Sequence, residues 1–330
     1  MAEAGVNHNG DFRLAKKMID TAHNAGADAV KFQTFHSDSV VIPHASKAEY
    51  QKENTPIGET QLDMIKKFEL SDNEFRLLAR YAEKKKIFFL STPFDHSSVD
   101  LLDNLNIPAF KIPSGEITNI PLLKHIALKH KPVIISTGMA NLGEIEQAIS
   151  IFGRNGKNQI ALLHCVTSYP AQYHDLNLNV IHTLRSSFKL PVGFSDHSPG
   201  TIASFAAVAM GATIIEKHFT LDKTLPGPDH AASLQEDELK ELVQGIRQIE
   251  SARGDGIKRL SLEEEKIKLV ARRSVVSTAS IPKGCSITAD MIACKRPGTG
   301  ISPQYYPDIE GRIAKILIHK DTLLTWDMVE

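Results

Sequence analysis

The sequence predicts an α/β fold, a TIM (β/α)8 barrel, followed by a small β-rich domain. Short apolar segments, many of them β-branched, alternate with longer segments whose apolar residues recur at helical spacing. This alternation is typical of βαβ units and a parallel sheet. It continues over roughly 250 residues, the usual length of such a barrel. A doubly wound open sheet is the alternative, but no G-x-G-x-x-G sequence follows the first strand.

Sequence patterns predict the positions of the helices and strands of the barrel. The helix at 12–25 is clear because Leu14, Met18 and Ala22 fall on one face, and similar patterns predict helices at 73–85 and 237–252. Residues 34–69 form a long insertion, in which we expect one helix near 59–67 and otherwise loop; long loops at this position are often functional. The predicted strands are 1–5, 27–32, 87–91, 109–112, 132–136, 159–164, 192–195 and 213–218.

The composition of the chain changes near residue 254. Gly254, Asp255 and Gly256 form a turn signal, a charged helical stretch follows at 261–268, and short alternating segments follow at 273–277, 284–288 and 313–318. We therefore predict a barrel domain at 1–253, a linker at 254–270 and a small β-rich domain at 271–330. A domain of about 60 residues buries little apolar surface alone, so we expect it to pack on the barrel or on another subunit.

The overall composition argues against several classes of protein. The 330 residues include 38 basic and 39 acidic side chains, a net charge of −1, so we expect no nucleic-acid or anionic-membrane binding. Apolar runs are too short to span a membrane, and the N-terminus lacks a secretory pattern, so we expect a cytoplasmic protein. Three cysteines, Cys165, Cys285 and Cys294, are too few and too scattered for a disulfide framework.

Every predicted strand ends in charged or hydrogen-bonding residues. The carboxyl ends of barrel strands converge on one opening, so these residues together predict a ligand site. Lys31 and Lys111 lie in otherwise apolar strands and need a negative partner, and nearby hydroxyl groups favour an anionic ligand. The polar ends are Glu3; Lys31 and Gln33; Ser91 and Thr92; Lys111, Ser114 and Glu116; Ser136 and Thr137; His164; Ser195, Asp196 and His197; and Glu216, Lys217 and His218.

His197 and His218 end two neighbouring strands, the seventh and the eighth. With no cysteine expected nearby, two imidazoles and substrate oxygens would suit a divalent ion such as Mn²⁺ or Zn²⁺. Two unconnected structural histidines explain the spacing equally well. Asp229 lies in a Gly- and Pro-rich loop after the eighth strand, and we expect that loop to be able to reach the same opening.

Seven segments of the sequence resemble segments of the bacterial sialic acid synthase family. They occur in the same order as in that family and extend over nearly the whole chain. In addition, K-R-P-G-T-G-I at 295–301 resembles that family's C-terminal antifreeze-like (SAF) domain. The family usually carries more residues before the first segment, so we expect a truncated first strand, and Thr167 stands where the family often has asparagine. The segments are A-E-A-G-V-N-H-N-G (2–10), V-K-F-Q-T (30–34), S-T-P-F (91–94), F-K-I-P-S-G-E (110–116), I-S-T-G-M (135–139), G-F-S-D-H (193–197) and E-K-H-F-T-L-D-K (216–223).

The resemblance implies an aldol-like condensation of phosphoenolpyruvate with the open-chain aldehyde of an N-acyl-hexosamine, giving a nine-carbon α-keto acid and phosphate. It implies Mn²⁺ on His197 and His218, and Glu3 and Glu216 as carboxylates that stabilise charge and take the proton of water. It also implies a domain-swapped homodimer in which Arg296 reaches the partner's sugar pocket. The implied phosphoenolpyruvate site comprises Lys31, Thr92, Lys111, Ser114, Ser136 and Ser195, and the sugar site comprises Gln33, Glu116, Tyr169 and Asp229.

The identity of the sugar stays open, because both branches of the family share every segment quoted. Our main prediction is N-acetylmannosamine, giving N-acetylneuraminate; the alternative is a 6-deoxy diacetamido sugar, giving N,N'-diacetyllegionaminate. A Schiff-base aldolase that uses Lys111 or Lys31 is a remote alternative, against which the paired histidines argue. A binding protein whose SAF-like tail is the recognition module is less consistent with polar ends on all eight strands.

Overall fold

The computed structural model describes residues 1–55, 58–153 and 159–330 of the chain. These residues form two compact units, Met1–Gly254 and Asp255–Glu330. Each unit has a hydrophobic core of its own. No helix within the described ranges is long and apolar enough to cross a membrane.

The first unit is a TIM barrel, which confirms the predicted fold class. Its strands are β1 (Ala2–Gly5), β2 (Ala29–Thr34), β3 (Phe88–Pro93), β4 (Phe110–Ile112), β5 (Val133–Ser136), β6 (Ile160–Cys165), β7 (Val192–Asp196) and β8 (Ile215–His218). They form one parallel sheet in the order β3-β2-β1-β8-β7-β6-β5-β4. Strand β1, which we expected to be truncated, pairs with β2 on one side and with β8 on the other.

Helices of the first unit alternate with these strands. Helix α1 begins after Asp11, whose carboxylate accepts the backbone N–H groups of Arg13 and Leu14. Helix α5 begins with a capping box formed by Ser71 and Glu74. The helices are α1 (Phe12–Asn24), α2 (Ser37–Val40), α3 (Glu49–Asn54), α4 (Gln61–Lys66), α5 (Asp72–Lys85), α6 (His96–Asn104), α7 (Ile120–Ala127), α8 (Leu142–Gly153), α9 (Val180–Phe188), α10 (Ile202–Ala209) and α11 (Glu236–Arg253).

The first helix shows how the sequence pattern places the core. Helix α1 buries Ala15, Met18, Ile19 and Ala22, which follow the spacing of one helix face. Leu14, which we predicted on this face, is only half-buried. The apolar stripe is therefore centred about one residue further along the chain than the sequence indicates.

The insertion after β2 contains more helix than the sequence predicts. The helix expected near 59–67 is present as α4, but α2 and α3 lie in segments that we predicted as loop. Helices this short show no apolar periodicity and are not stable in isolation, so tertiary contacts must form them. The buried side chains of Val6, Phe35, Met64 and Phe68 form a separate apolar cluster between the insertion and the barrel.

The second unit contains α12 (Leu262–Ala271), α13 (Tyr306–Ile309) and an antiparallel pair of strands, β9 (Ser274–Ser277) and β10 (Ile292–Lys295). The strand predicted at 273–277 is confirmed. The alternating segments at 284–288 and 313–318 form no continuous strand and pair through isolated antiparallel bridges, among them Ser286–Ile313 and Ile281–Ile318. Strand β10 was not predicted, because its four residues include one charged and two small side chains and show no clear alternation.

Candidate active site

A polar cavity lies at the carboxyl ends of the barrel strands, and its volume is about 190 Å³. The cavity brings together most of the residues that the sequence predicts for the site. The predicted residues that line it are Glu3, Lys31, Gln33, Thr92, Lys111, Ser114, Ser136, Tyr169, Ser195, His197, Glu216 and His218, and they are joined by Phe94, Pro113, Gly115, Cys165 and Thr167.

Four buried charges of alternating sign form the floor of the polar cavity. The Nζ atom of Lys31 lies 2.6 Å from Oε2 of Glu3 and 3.6 Å from Oε2 of Glu216. The Nζ atom of Lys111 lies 3.3 Å from Oε1 of Glu216, which also accepts a 2.8 Å hydrogen bond from the hydroxyl of Ser195. The negative partners that both lysines require are therefore the two predicted catalytic carboxylates.

Burial and the neighbouring charges together move the pKa values of Glu3 and Glu216 in opposite directions. Burial raises the pKa of Glu3, and the nearby carboxylate of Glu216 adds to that rise. Burial alone would also raise the pKa of Glu216, but the ammonium groups of Lys111 and Lys31 hold it below its usual range. Burial lowers the pKa of Lys111, which has Glu216 as its close counter-ion. Two carboxylates in one site thus differ in their affinity for a proton, as acid–base chemistry requires.

Hydroxyl groups surround the two lysines. Oγ1 of Thr92 accepts a 2.9 Å hydrogen bond from Nζ of Lys31, and Oγ of Ser114 accepts a 3.0 Å bond from the N–H of Gly138. Oγ of Ser136 is buried and has no hydrogen-bond partner in the described part of the chain. A buried hydroxyl without a partner is costly, so it is a donor available to an anion that enters the cavity.

Alternation along β7 and β8 divides their polar residues between two environments. His197, Glu216 and His218 line the polar cavity. Asp196 and Lys217 point the other way and form a buried ion pair with Nζ 3.1 Å from Oδ2. The sequence predicts all five at the opening, and that prediction is wrong for Asp196 and Lys217, because successive side chains of a strand face opposite sides.

The same alternation corrects two predictions about β6. The His164 ring makes a 2.7 Å hydrogen bond through Nε2 to the carbonyl of Leu176 and does not line the polar cavity. Cys165 lines the cavity instead, with Sγ 3.8 Å from Nδ1 of His197. The expectation that no cysteine lies near the two histidines is therefore wrong. The strand period of two places His164 and Cys165 on opposite faces, but only the structure shows that Cys165 faces the cavity.

The two histidines offer nitrogen donors to a metal ion. Nδ1 of His197 is 2.8 Å from the carbonyl of Val166, to which it donates, so Nε2 keeps its lone pair. Nδ1 of His218 is buried without a hydrogen-bond partner in the described ranges, and burial holds the pKa of His218 well below its usual value. The ring centroids lie 5.6 Å apart. Burial would lower the pKa of His197, but the neighbouring Cys165 raises it above its usual value. In their neutral forms the two imidazoles fit a divalent ion. No cluster of three or more protein ligands occurs among the described residues, so substrate or water would have to complete the coordination of any ion held there.

Tyr169 and Asp229 lie beside these histidines. The Tyr169 ring centroid is 4.1 Å from that of His197, and the two rings are tilted by 35°. Asp229 is buried, and burial raises its pKa to about 6, against the opposing effect of His197. Asp229 lines a second cavity that adjoins the polar one. The loop after β8 therefore reaches the opening, as its position in the sequence predicts.

Two predicted sugar-site residues, Glu116 and Arg296, are not among those that line the polar cavity. Glu116 follows β4 in a 3-10 turn, where Oε2 accepts a 2.6 Å hydrogen bond from Asn119, and it is not among the residues that line the polar cavity. Arg296 belongs to the second unit, where its Nε donates a 2.9 Å hydrogen bond to the carbonyl of Ala271.

The fold and the site define a barrel enzyme for a small anionic substrate. The chain belongs to the NeuB family of sialic acid and legionaminic acid synthases: the family model matches residues 18–258, and a SAF domain model matches 272–330. The chain is 50% identical over 326 residues to the N,N'-diacetyllegionaminic acid synthase of Campylobacter jejuni, covering 98% of each. It is 47% identical over 334 residues to the synthase of the same name from Legionella pneumophila, covering 100% of this chain and 94% of that one. Among solved structures, the N-acetylneuraminic acid synthetase of Leptospira borgpetersenii has a TM-score of 0.71 and 40% identity, covering 81% of this chain and 88% of that one.

Replacing the central carboxylate tests the ion-pair network. Glu216→Gln leaves the buried ammonium group of Lys111 without its counter-ion, so we expect the free energy of unfolding to fall by about 3–5 kcal/mol. Glu238→Gln is the matched control, because Glu238 pairs with Lys223 at the surface and should contribute less than about 1 kcal/mol. Urea unfolding measures both variants, and equal losses would contradict a structural role for the network.

Proposed function

We propose that this protein is an N,N'-diacetyllegionaminic acid synthase, which condenses phosphoenolpyruvate with an open-chain 6-deoxy diacetamido hexose. The observation that carries the proposal is the 50% and 47% identity, over nearly the whole chain, to two proteins of that name. These identities favour the alternative from the sequence over the main prediction of N-acetylneuraminate. The sequence alone left the choice open because the segments that identify the family do not separate the two products.

Phosphoenolpyruvate is the proposed occupant of the polar cavity. Lys31 and Lys111 supply positive charge to its phosphate and carboxylate, and hydroxyl groups supply hydrogen bonds. Ser136 is suited to donate because its buried hydroxyl has no partner in the described chain. Thr92, Ser114 and Ser195 are the other proposed hydroxyl contacts.

The sugar aldehyde is proposed to lie beside the histidines, where Gln33, Tyr169 and Asp229 face it. A carbon–carbon bond forms between the methylene carbon of phosphoenolpyruvate and the aldehyde carbon, whose oxygen takes up a proton. Water adds to the phosphate-bearing carbon and loses a proton, and the C–O bond to phosphate breaks to leave the keto group. Glu3 and Glu216 stabilise the positive charge that develops and take the proton of the attacking water. Holding both reactants in the cavity removes much of the entropic barrier.

His197 and His218 are the proposed ligands of Mn²⁺. When bound, the ion would act as a Lewis acid towards the aldehyde oxygen. The hydrogen bond from Nδ1 of His197 to Val166 keeps that ring oriented with its Nε2 lone pair available.

Metal removal tests this proposal. We expect chelation with EDTA to abolish turnover and Mn²⁺ to restore it, and His197→Ala to lose bound Mn²⁺, measured by elemental analysis, while staying folded by circular dichroism. His164→Ala is the matched control, because that strand-end histidine does not line the cavity and should leave metal content unchanged. Full activity of His197→Ala in the presence of chelator would contradict the proposal.

A domain-swapped homodimer is the proposed assembly, with Arg296 completing the sugar site of the partner subunit. The support is the resemblance to the family and the chemistry of a planar guanidinium, which suits sugar hydroxyl and acyl oxygens. Arg296 is exposed in the second unit, where one hydrogen bond to Ala271 orients its side chain. The cytoplasmic location predicted from the sequence stays a prediction.

Complementation separates action in the partner from action within one chain. We expect His197→Ala and Arg296→Ala to be weak when assayed alone. If the arginine acts in the partner subunit, a mixed dimer holds one intact site, and co-refolding the two variants should restore activity towards a quarter of the wild-type level, assuming random pairing. Activity that stays at the level of the unmixed variants would show that the arginine acts within its own chain.

The product decides which synthase this is. We expect phosphoenolpyruvate with 2,4-diacetamido-2,4,6-trideoxymannose to give a product with the mass of N,N'-diacetyllegionaminate, and at a higher kcat/KM than N-acetylmannosamine gives N-acetylneuraminate. Mass spectrometry with each sugar offered in turn checks this. A higher kcat/KM for N-acetylmannosamine would return the assignment to the original main prediction.

A further inference from the structure

An apolar cavity adjoins the polar cavity on the side of the insertion. Its volume is about 250 Å³, against about 190 Å³ for the polar cavity. Four residues, Gln33, Phe94, Tyr169 and His218, line both, so the two cavities form one continuous groove. The larger end of the groove therefore opens directly beside the histidines and away from the buried lysines.

We propose that the apolar cavity binds the methyl-bearing part of the sugar, namely its acetamido methyl groups and its deoxygenated C6, and that Met64 and Val41 determine specificity for a 6-deoxy diacetamido hexose. This inference rests on the proposed function. In this proposal the insertion between β2 and α5 determines specificity for the sugar, while residues at the strand ends provide the chemistry common to the family.

The lining of the apolar cavity supports this occupant. Its walls include Phe35, Val41, Met64, Ile65 and Phe68, which come from the insertion. Apolar side chains of this kind favour methyl groups and offer no hydrogen bond to a hydroxyl group. The larger of two reactants also belongs in the larger cavity, and a diacetamido hexose is larger than phosphoenolpyruvate.

The charges around the apolar cavity argue against a phosphorylated sugar. Among the described residues that line it, those that can carry a charge near neutral pH are His218 and Asp229, and none is lysine or arginine. A phosphate group would need cationic or several hydrogen-bonding partners there. The side-chain amides of Gln33 and Gln61 also line the cavity, and such groups match the amide of an acetamido substituent.

Ion pairs and hydrogen bonds join separate segments of the insertion to one another, which gives the cavity wall a defined shape of its own. Nζ of Lys47 lies 3.6 Å from Oε2 of the buried Glu59, which also pairs with Lys67. Oε2 of Glu69 accepts a 2.9 Å hydrogen bond from the N–H of Ser37 at the start of α2. A preformed wall is expected to discriminate more strongly than one that rearranges around each ligand.

Changing the cavity wall tests the inference. Met64→Gln keeps the length of the side chain but places an amide in the apolar wall, and Val41→Thr keeps the shape but adds a hydroxyl group. For each protein, kcat/KM is measured with the 6-deoxy diacetamido hexose and with N-acetylmannosamine, and the ratio of the two is compared with wild type. We expect Met64→Gln to lower this ratio roughly 10-fold through KM for the sugar, with KM for phosphoenolpyruvate unchanged.

Leu62→Gln is the matched control for Met64→Gln. Leu62 is buried in the same helix, α4, but it lines neither cavity, so the same kind of substitution should leave the ratio unchanged even if it lowers the melting temperature. Val41 is half-buried at the cavity wall, so Val41→Thr should remain folded if Met64→Gln does not, and its ratio should fall in the same direction by several-fold.

The possible outcomes separate the inference from the proposed function. A wild-type preference for the diacetamido sugar that both wall variants reduce, and that Leu62→Gln keeps, supports both. A wild-type preference that Met64→Gln and Val41→Thr leave intact overturns the inference alone. A wild-type preference for N-acetylmannosamine overturns the proposed function, and the inference with it.

Discussion

The chain of buried charges across the barrel mouth constrains everything around it. Glu3, Lys31, Glu216 and Lys111 come from four different strands, and each side chain is at most 5% exposed. Removing Lys31 leaves Glu3 without its ion-pair partner, and removing Glu216 leaves Lys111 without one. An unpaired buried charge costs several kcal/mol. These ion pairs therefore link the ends of β1, β2, β4 and β8 at the place where an anionic substrate would bind. The site is organised before the substrate arrives.

The two-residue period of the strands separates the reacting groups from the groups that support them. Residues on the inner face of β7 and β8 line the polar cavity, whereas Asp196 and Lys217 form a buried pair on the outer face. Oδ1 of Asp196 also accepts a 2.8 Å hydrogen bond from the N–H of Ser198, immediately after His197. The outer network thus fixes the turn that carries His197.

The groove as a whole divides recognition between a charged end and an apolar end. Lysines and hydroxyl groups dominate the polar cavity, and the insertion supplies the apolar walls of the other. The histidines lie at the junction, where atoms of two reactants would meet. Under the proposed function, this division would let one barrel keep its chemistry while an insertion changes the second substrate, which is how functions vary on the TIM fold.

The sequence by itself determined the barrel, the order of its strands along the chain, and most of the residues that line the polar cavity, because apolar period and polar strand ends are local properties. It also identified the family, because seven segments resemble those of the family and occur in the same order. Only the tertiary structure decided which polar end faced inward, since His164 and Cys165 are neighbours in sequence but face opposite sides. The short helices α2 and α3 and strand β10 were missed for the same reason: segments of four to six residues form through contacts with distant parts of the chain, which local patterns do not record.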